Sequence, residues 1–251
     1  MREVGEQVGA GASCRVYAWG DDRVVKVYRR AFASLAPVEA ARSAAVHAAG
    51  VPSPAVHGLV DVDGRPGLVF DRVPGPSMLD QLLRGERSPE DVGAALAAVH
   101  VAVHGLDAGD LPDLADTLVE RGVAAMPLGS APFHGDLHPG NVLVGGDDRE
   151  AVVIDWSNAH RAPAAADVAC SILAIGYRGL RAGQADLDRA RRSRRRIVAA
   201  YVEAYRAAAP QVLDEVAPWF VGIGGLLLAQ EPDTADADEL RARVRAGGPV
   251  T

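Results

Sequence analysis

The chain has 251 residues, 26 Lys+Arg against 33 Asp+Glu, a formal net charge of −7 and 49% hydrophobic residues. That balance describes an ordinary globular protein, one large domain or two small lobes, and excludes an electrostatic nucleic-acid binder. Cys14 and Cys170 make neither a metal spacing nor a disulfide framework, and MREVGEQVGAG lacks the apolar run of a secretory signal. The greasiest segment, PWFVGIGGLLLA, is too short to span a bilayer. The expected setting is the reducing cytoplasm, with no membrane and no nucleic acid as partner.

Taken in chain order, VGEQVGAG, SCRVYAWG and RVVKVY read as a meander of strands, with a turn at Asp21-Asp22 before the third. Pro37 opens a helix, PVEAARSAAVHAAG, that Gly50 stops. VPSPAVHGLVDVDGRPGLVFDRV returns to strands, with Asp63-Gly64 as the hairpin turn. After PGPSM the texture changes. Ser88-Pro89-Glu90-Asp91 has the form of a capping box, and VGAALAAVHVAVHGL continues with helical periodicity. NVLVGG and EAVVIDW read as a hairpin turning around Gly145 to Asp148. ADVACSILAIGY, RRIVAAYVEAYRAAA and VLDEVAPWFVGIGGLLLAQ read as helices, and the tail after Glu231 as loose. The expected division is a β-rich unit over 1–75, a linker near 72–76, and a mostly helical unit over 76–251.

The sharpest chemistry lies in FHGDLHPGNVLV, residues 133 to 144. Asp136 stands five residues before Asn141 in a loop that enters a short strand, and Asp155 follows fourteen residues later at the end of the next strand. Asp and Asn taken singly are common turn formers. Together they offer an acid to accept a hydroxyl proton and an Asn and Asp to hold Mg²⁺, the set that phosphoryl transfer needs. Magnesium prefers oxygen ligands and keeps several waters, so two protein ligands suffice. His134 and His138 flank the acid without a third nitrogen or sulfur ligand nearby, which speaks against a metal site there.

HGDLHPGN resembles the catalytic loop of the aminoglycoside phosphotransferase family, small-molecule kinases on the protein-kinase fold, and IDW stands where protein kinases have Asp-Phe-Gly. The resemblance covers residues 1 to about 230. It implies an α+β, two-lobed fold, with an antiparallel sheet and one helix in the N-lobe and a mostly helical C-lobe. It implies Asp136 as catalytic base, Asn141 and Asp155 as Mg²⁺ ligands, and ATP as donor. VGAGASCRV resembles the glycine-rich loop, through Gly9, Gly11 and Ser13, but with Cys14 at the usual third glycine. Backbone N–H groups of such a loop can cover a triphosphate. The nucleotide base is expected near Phe70, Asp71 and Val73, read by backbone groups, so that ATP is the default and GTP stays open. Asp167 is expected to brace the catalytic loop, His134 and His138 to stiffen it, and Trp156 to pack beside Asp155.

Of the 26 cations, Lys26 is the only lysine. A compact ammonium on a slim stem can reach phosphates from a strand while pairing with a helix carboxylate, and a planar guanidinium prefers another geometry. Glu39, in the following helix, is the expected partner.

The acceptor is a small molecule with a free hydroxyl, expected to be an antibiotic; the alternatives are a metabolic alcohol, as for choline, homoserine or fructosamine kinases, or a silent nucleotide-binding module. The complete set Lys26, Glu39, Asp136, Asn141, Asp155 argues against silence. A polycationic aminoglycoside would favour an acidic cleft. Residues 80–120 offer Asp80, Glu86, Glu90, Asp91, Asp107, Asp110, Asp113, Asp116 and Glu120, and the tail adds Glu231, Asp233, Asp236, Asp238 and Glu239. Residues 178–206, including the arginine-rich stretch 189–196, carry nine arginines instead. Such a run reads as a solvated helix face, and if it turned to the cleft it would favour a neutral or anionic acceptor.

Overall fold

The computed structural model describes residues 4–114, 129–145, 150–179, 186–233 and 235–248. Asp116 and Glu120, Asp148 in the expected hairpin turn, and Arg181 lie outside these residues. The chain opens with five strands, β1 (Gln7–Ala10), β2 (Cys14–Ala18), β3 (Arg23–Tyr28), β4 (Val56–Val62) and β5 (Arg65–Asp71), in one antiparallel sheet of order β1-β2-β3-β5-β4. Helix α1 (Leu35–Ala48) lies between β3 and β4 in sequence and begins two residues before Pro37. Asp63 and Gly64 both take positive φ, 52° and 72°, which is the backbone a two-residue hairpin turn requires.

The period-2 alternation of β3 decides where Lys26 points. Val25 and Val27 pack with Val62 and Val69 on one face, whereas Val24 and Tyr28 pack with Cys14, Ala36, Leu68 and Phe70 on the other. Lys26 shares the second face, and the α1 residue Glu39 covers it there.

The second half is built on helices. Short α2 (Met78–Leu83) and long α3 (Pro89–His104) each begin with a capping box, Ser77 with Asp80 and Ser88 with Asp91. The first of these boxes has the same serine-to-aspartate spacing as the second, yet the helix is too short to show periodicity. β6 (Ala131–Phe133) pairs with β9 (His160–Ala162), and between them β7 (Val142–Gly145) pairs with β8 (Glu150–Val153). Then come α4 (Ala164–Gly176), α5 (Leu187–Ala208), α6 (Pro210–Asp214), α7 (Val216–Gln230) and α8 (Ala237–Arg245). Helix α4 is buried along nearly its whole length and forms the spine of the main core.

Two expectations need correction. The segment VLDEVAPWFVGIGGLLLAQ is two helices rather than one, broken at Glu215. The tail after Glu231 is not loose: α8 packs on α7 through the buried Leu240. Its charges hid it, because only one narrow apolar stripe faces inward.

The linker is fixed to the helical half through its backbone. The Pro76 carbonyl accepts the Val144 N–H at 2.9 Å, and Ser77 bridges to Leu143. A Cβ on Gly75 would fall 2.3 Å from the Val144 carbonyl oxygen, and one on Gly145 would fall 1.7 Å from that of Pro74. Only glycine lets the two backbones approach this closely.

Candidate functional site

Lys26 is 7% exposed and lies between two carboxylates. Its Nζ donates to Glu39 Oε1 at 2.7 Å and Oε2 at 2.9 Å, and to Asp155 Oδ1 at 2.9 Å. Burial alone would favour a neutral amine, but Asp155 and Glu39 outweigh it and hold the ammonium protonated. Burial likewise pushes Glu39 up against the pull of Lys26. Asp155 is held below the ordinary carboxylate range: burial opposes this, and Lys26 wins. Tyr28, next on the same face of β3, donates its hydroxyl to Glu39 Oε2. The expected Lys26–Glu39 pair is therefore present, and Asp155 joins it from the other half of the chain.

A second tie across the same gap escaped sequence reasoning. Arg42, one turn along α1 from Glu39, donates to the Ser157 carbonyl at 2.6 Å. The segment just after Asp155 is thus clamped by the helix that carries Glu39. Asp155 itself takes positive φ, 66°, the left-handed conformation that Asp tolerates better than most residues. Trp156 is buried, donates to the Val153 carbonyl at 3.0 Å, and places its ring 4.6 Å from that of His134.

Loop 134–141 joins β6 to β7 and is held from beneath by Asp167 of α4. The two Asp167 oxygens accept backbone N–H bonds from His134 and, at 2.8 Å, Gly135. The Asp136 N–H donates to His134 Nδ1 at 3.2 Å, so the imidazole carries its proton on Nε2, which faces the Ile154 carbonyl at 3.0 Å. His138 Nδ1 accepts from the Gly140 N–H at 3.0 Å, closing the turn between Asp136 and Asn141. Asn141 Nδ2 donates to the Asp136 carbonyl at 3.0 Å, which leaves its side-chain oxygen available.

Beneath Asp167 lies a buried network that sequence reasoning missed, although His100 and His104, and Tyr201 and Tyr205, each stand one helical turn apart. His100 and His104 of α3 bring Nε2 to 3.1 and 3.4 Å from Asp167 Oδ2. Their Nδ1 atoms lie 2.7 Å from the hydroxyls of Tyr201 and Tyr205 of α5. Phenol O–H to Nδ1 serves both imidazoles, and His104 Nε2 also hydrogen-bonds the carboxylate, whereas the buried His100 Nε2 stands close to Asp167 without hydrogen-bond geometry. Burial would push the Asp167 carboxyl up, but the two imidazoles outweigh it and hold it well below the ordinary range.

The donor set suits a hard cation: an amide oxygen from Asn141 and a carboxylate from Asp155, with no soft ligand among them. Phe70 is 8% exposed in the floor of the sheet. The Asp71 N–H donates to the Ala55 carbonyl at 3.1 Å and its side chain meets His57, so its carbonyl is what it can offer a base. Gly9 lies in β1, Gly11 and Ser13 in the turn to β2, where the Gly11 N–H donates to the Cys14 carbonyl. Cys14 turns inward, and burial pushes its thiol up.

Many of the acids that could draw a polycation are engaged elsewhere. Asp80 and Asp91 complete capping boxes, Glu90 pairs with Arg196, and Asp236 pairs with Arg191. The arginine stretch is accordingly more than a solvated face, since it ties α5 to α3 and α8. One arginine before it reaches the site: Arg178 Nη1 donates to Asp136 Oδ1 at 2.8 Å.

The family model described as APH, phosphotransferase enzyme family, matches residues 4–125 and 110–219, and the chain belongs to that family. It is an enzyme, a small-molecule kinase with the two-lobed α+β fold of that family. Among solved structures it is similar to an aminoglycoside-3′-phosphotransferase of type VIII, at 22% identity and TM-score 0.55, over 83% of this chain and 87% of that one. A second, looser likeness is to the aminoglycoside phosphotransferase APH(3″)-Id from Streptomyces rimosus, at 18% identity and TM-score 0.48, over 86% and 92% of the two chains. A search of curated proteins found no match. No helix among the described residues is long and apolar enough to cross a membrane.

Proposed function

We propose that this kinase transfers the γ-phosphate of ATP to a hydroxyl of a small molecule, an antibiotic in the first instance, from a nucleotide site on residues 1–75 to an acceptor site on residues 76–251. The observation that carries this reading is Lys26 held between Glu39 and Asp155 at 2.7 and 2.9 Å. Glu39 fixes the ammonium in place, so that it meets phosphate oxygens without reorganising, and positioning of this kind is most of what phosphoryl transfer asks of a protein. Gly9, Gly11 and Ser13 cover the phosphates through their backbone, and Phe70, Asp71 and Val73 border the base. Asn141 and Asp155 would hold Mg²⁺, which when bound neutralises charge on the phosphates.

Asp136 orients the acceptor hydroxyl and takes its proton as the new O–P bond forms and the bond to the departing ADP breaks. The brace from Asp167 and His134 sets the loop before substrate arrives, which is the purpose of a rigid supporting shell. A metabolic alcohol as acceptor is the second reading, and Arg178 beside Asp136 is the observation that favours it.

The test is mass spectrometry after incubation with Mg·ATP and a mixed panel of aminoglycoside, peptide, macrolide and nucleoside antibiotics, choline, homoserine and sugars. One compound should gain a single phosphate, and Asp136→Ala should slow that reaction by about 10²–10⁴-fold. Equal product from Asp136→Ala would remove the assigned base.

A further inference from the structure

We propose that Arg178 reads the acceptor: the hydroxyl compound phosphorylated here carries an acid, a carboxylate or a phosphate, close to the reacting hydroxyl, and Arg178 pairs with it. This rests on the kinase reading with Asp136 as base, and names its substrate class.

Arg178 leaves the end of α4 through Tyr177 and is held from two sides. Its carbonyl accepts the Arg194 Nη1–H at 2.7 Å, and its Nε lies 3.6 Å from Glu231 Oε1 at the end of α7. Its Nη1 donates to Asp136 Oδ1 at 2.8 Å, while Asp136 Oδ2 is 4.0 Å from His138 Nε2. A guanidinium has five N–H donors, so this one keeps donors for a further acceptor.

A hydroxyl seated on the Asp136 carboxylate would lie within roughly 6 Å of that guanidinium, from ordinary hydrogen-bond lengths on each side. Groups on the neighbouring carbons of the acceptor must then pass a cation. An ammonium there is repelled, and a carboxylate or phosphate can form the paired N–H···O bonds that suit a guanidinium. Among the described residues, two acids that could compensate an ammonium are already matched: Glu231 faces Arg178 itself and Asp155 faces Lys26. The acceptor's acid takes the remaining donors while Nη1 stays on Asp136 Oδ1, so that recognition seats the hydroxyl beside the base.

The experiment uses the full chain with Mg·ATP and three pools of hydroxyl compounds: hydroxy acids with sugar acids and sugar phosphates, uncharged polyols with nucleosides, and amino alcohols with aminoglycosides. Phosphorylated product is read by mass spectrometry and ADP by a coupled assay, for wild type and for Arg178→Gln, Arg178→Lys and Arg178→Glu, each first checked for an unchanged melting curve. The expected acceptor comes from the acid pool. Arg178→Gln should lower its kcat/KM about 10- to 100-fold, mainly through KM, and Arg178→Lys should recover part of the loss. Arg178→Glu should move the ratio of acid to amine acceptors toward amines. An acid pool that stays silent overturns the proposal. So does an acid acceptor used equally by Arg178→Gln, or a variant that speeds every pool alike, which would make Arg178 a resting latch. Failure of the chain to bind Mg·ATP or to form ADP with any pool is a different result, and it removes the kinase reading itself.

Discussion

Lys26 answers to two demands at once. Its ammonium must be slim enough to enter a space lined by Leu68, Tyr28 and α1, and compact enough to meet Glu39 and Asp155 within 2.9 Å. A guanidinium is longer and planar, and would displace one of the two carboxylates. Lys26→Arg should therefore lower kcat/KM for ATP by about 10- to 100-fold while keeping the charge, since small misplacements near a reacting phosphate are costly. Steady-state kinetics at varied ATP decide this, and wild-type constants would contradict it. Lys26, Asp136, Asn141 and Asp155 could be picked out as candidates because Lys26 is the only lysine and the other three follow one another at short spacing in a fixed order. Arg42 and Arg178 could not: each acts across a fold contact, 115 and 42 residues from its partner, and in a chain with this many arginines nothing in the sequence sets them apart.

At the scale of elements, the loop bearing Asp136 depends on three helices that stand behind it. α3, α4 and α5 meet through His100, His104, Asp167, Tyr201 and Tyr205, and α3 and α5 approach closely at Gly93. A Cβ there would fall 2.4 Å from the Ile197 carbonyl oxygen and 2.9 Å from Ala200 Cβ. Gly93→Ala should destabilise the protein by about 1–3 kcal/mol as the helices part, read as a lowered melting temperature. The same layer should make the fold acid-sensitive. Burial, with His104 beside it, pushes His100 down from 6.5 to about 4. Between those values the unfolded chain binds a proton that the folded one refuses, so stability is full above about pH 6.5 and falls as pH drops toward 4, by on the order of 3 kcal/mol from this residue. Melting curves from pH 7 to 4.5 should be flatter for His100→Gln than for wild type, and parallel curves would remove His100 as the cause. The strands, α1 and α3 could be read from alternation, turn residues and the Ser88 capping box. The pair β6–β9 could not, because three-residue strands carry no period, and α8 could not, because its charged faces outweigh its apolar one.

At the scale of the whole molecule, the contacts between the two halves include backbone at Gly75 and Gly145 and from Val153 to Pro52, the apolar packing of Val46 and Val51 in the main core, the arginine of α1, and the ammonium of Lys26. Only the last involves groups assigned to nucleotide and metal. Binding of Mg·ATP should therefore stabilise the assembled molecule, by about 2.7 kcal/mol at a hundredfold excess over Kd. Asp155→Ala should lose the magnesium-dependent part of that gain, measured as the melting-temperature shift with and without EDTA; a full shift in the variant would exclude Asp155 as a ligand. The two-lobed plan followed from the change of texture after PGPSM, whereas the stitching of the linker to β7 did not, since it depends on backbone approach that no side chain records. One further consequence follows from Lys26 being the only lysine. Its side chain is the single lysine amine in the sequence, held by Glu39 from its own half and covered by Asp155 from the other. The rate at which an acyl group adds to that amine is thus a built-in gauge of how often this cover opens, readable as one mass increment.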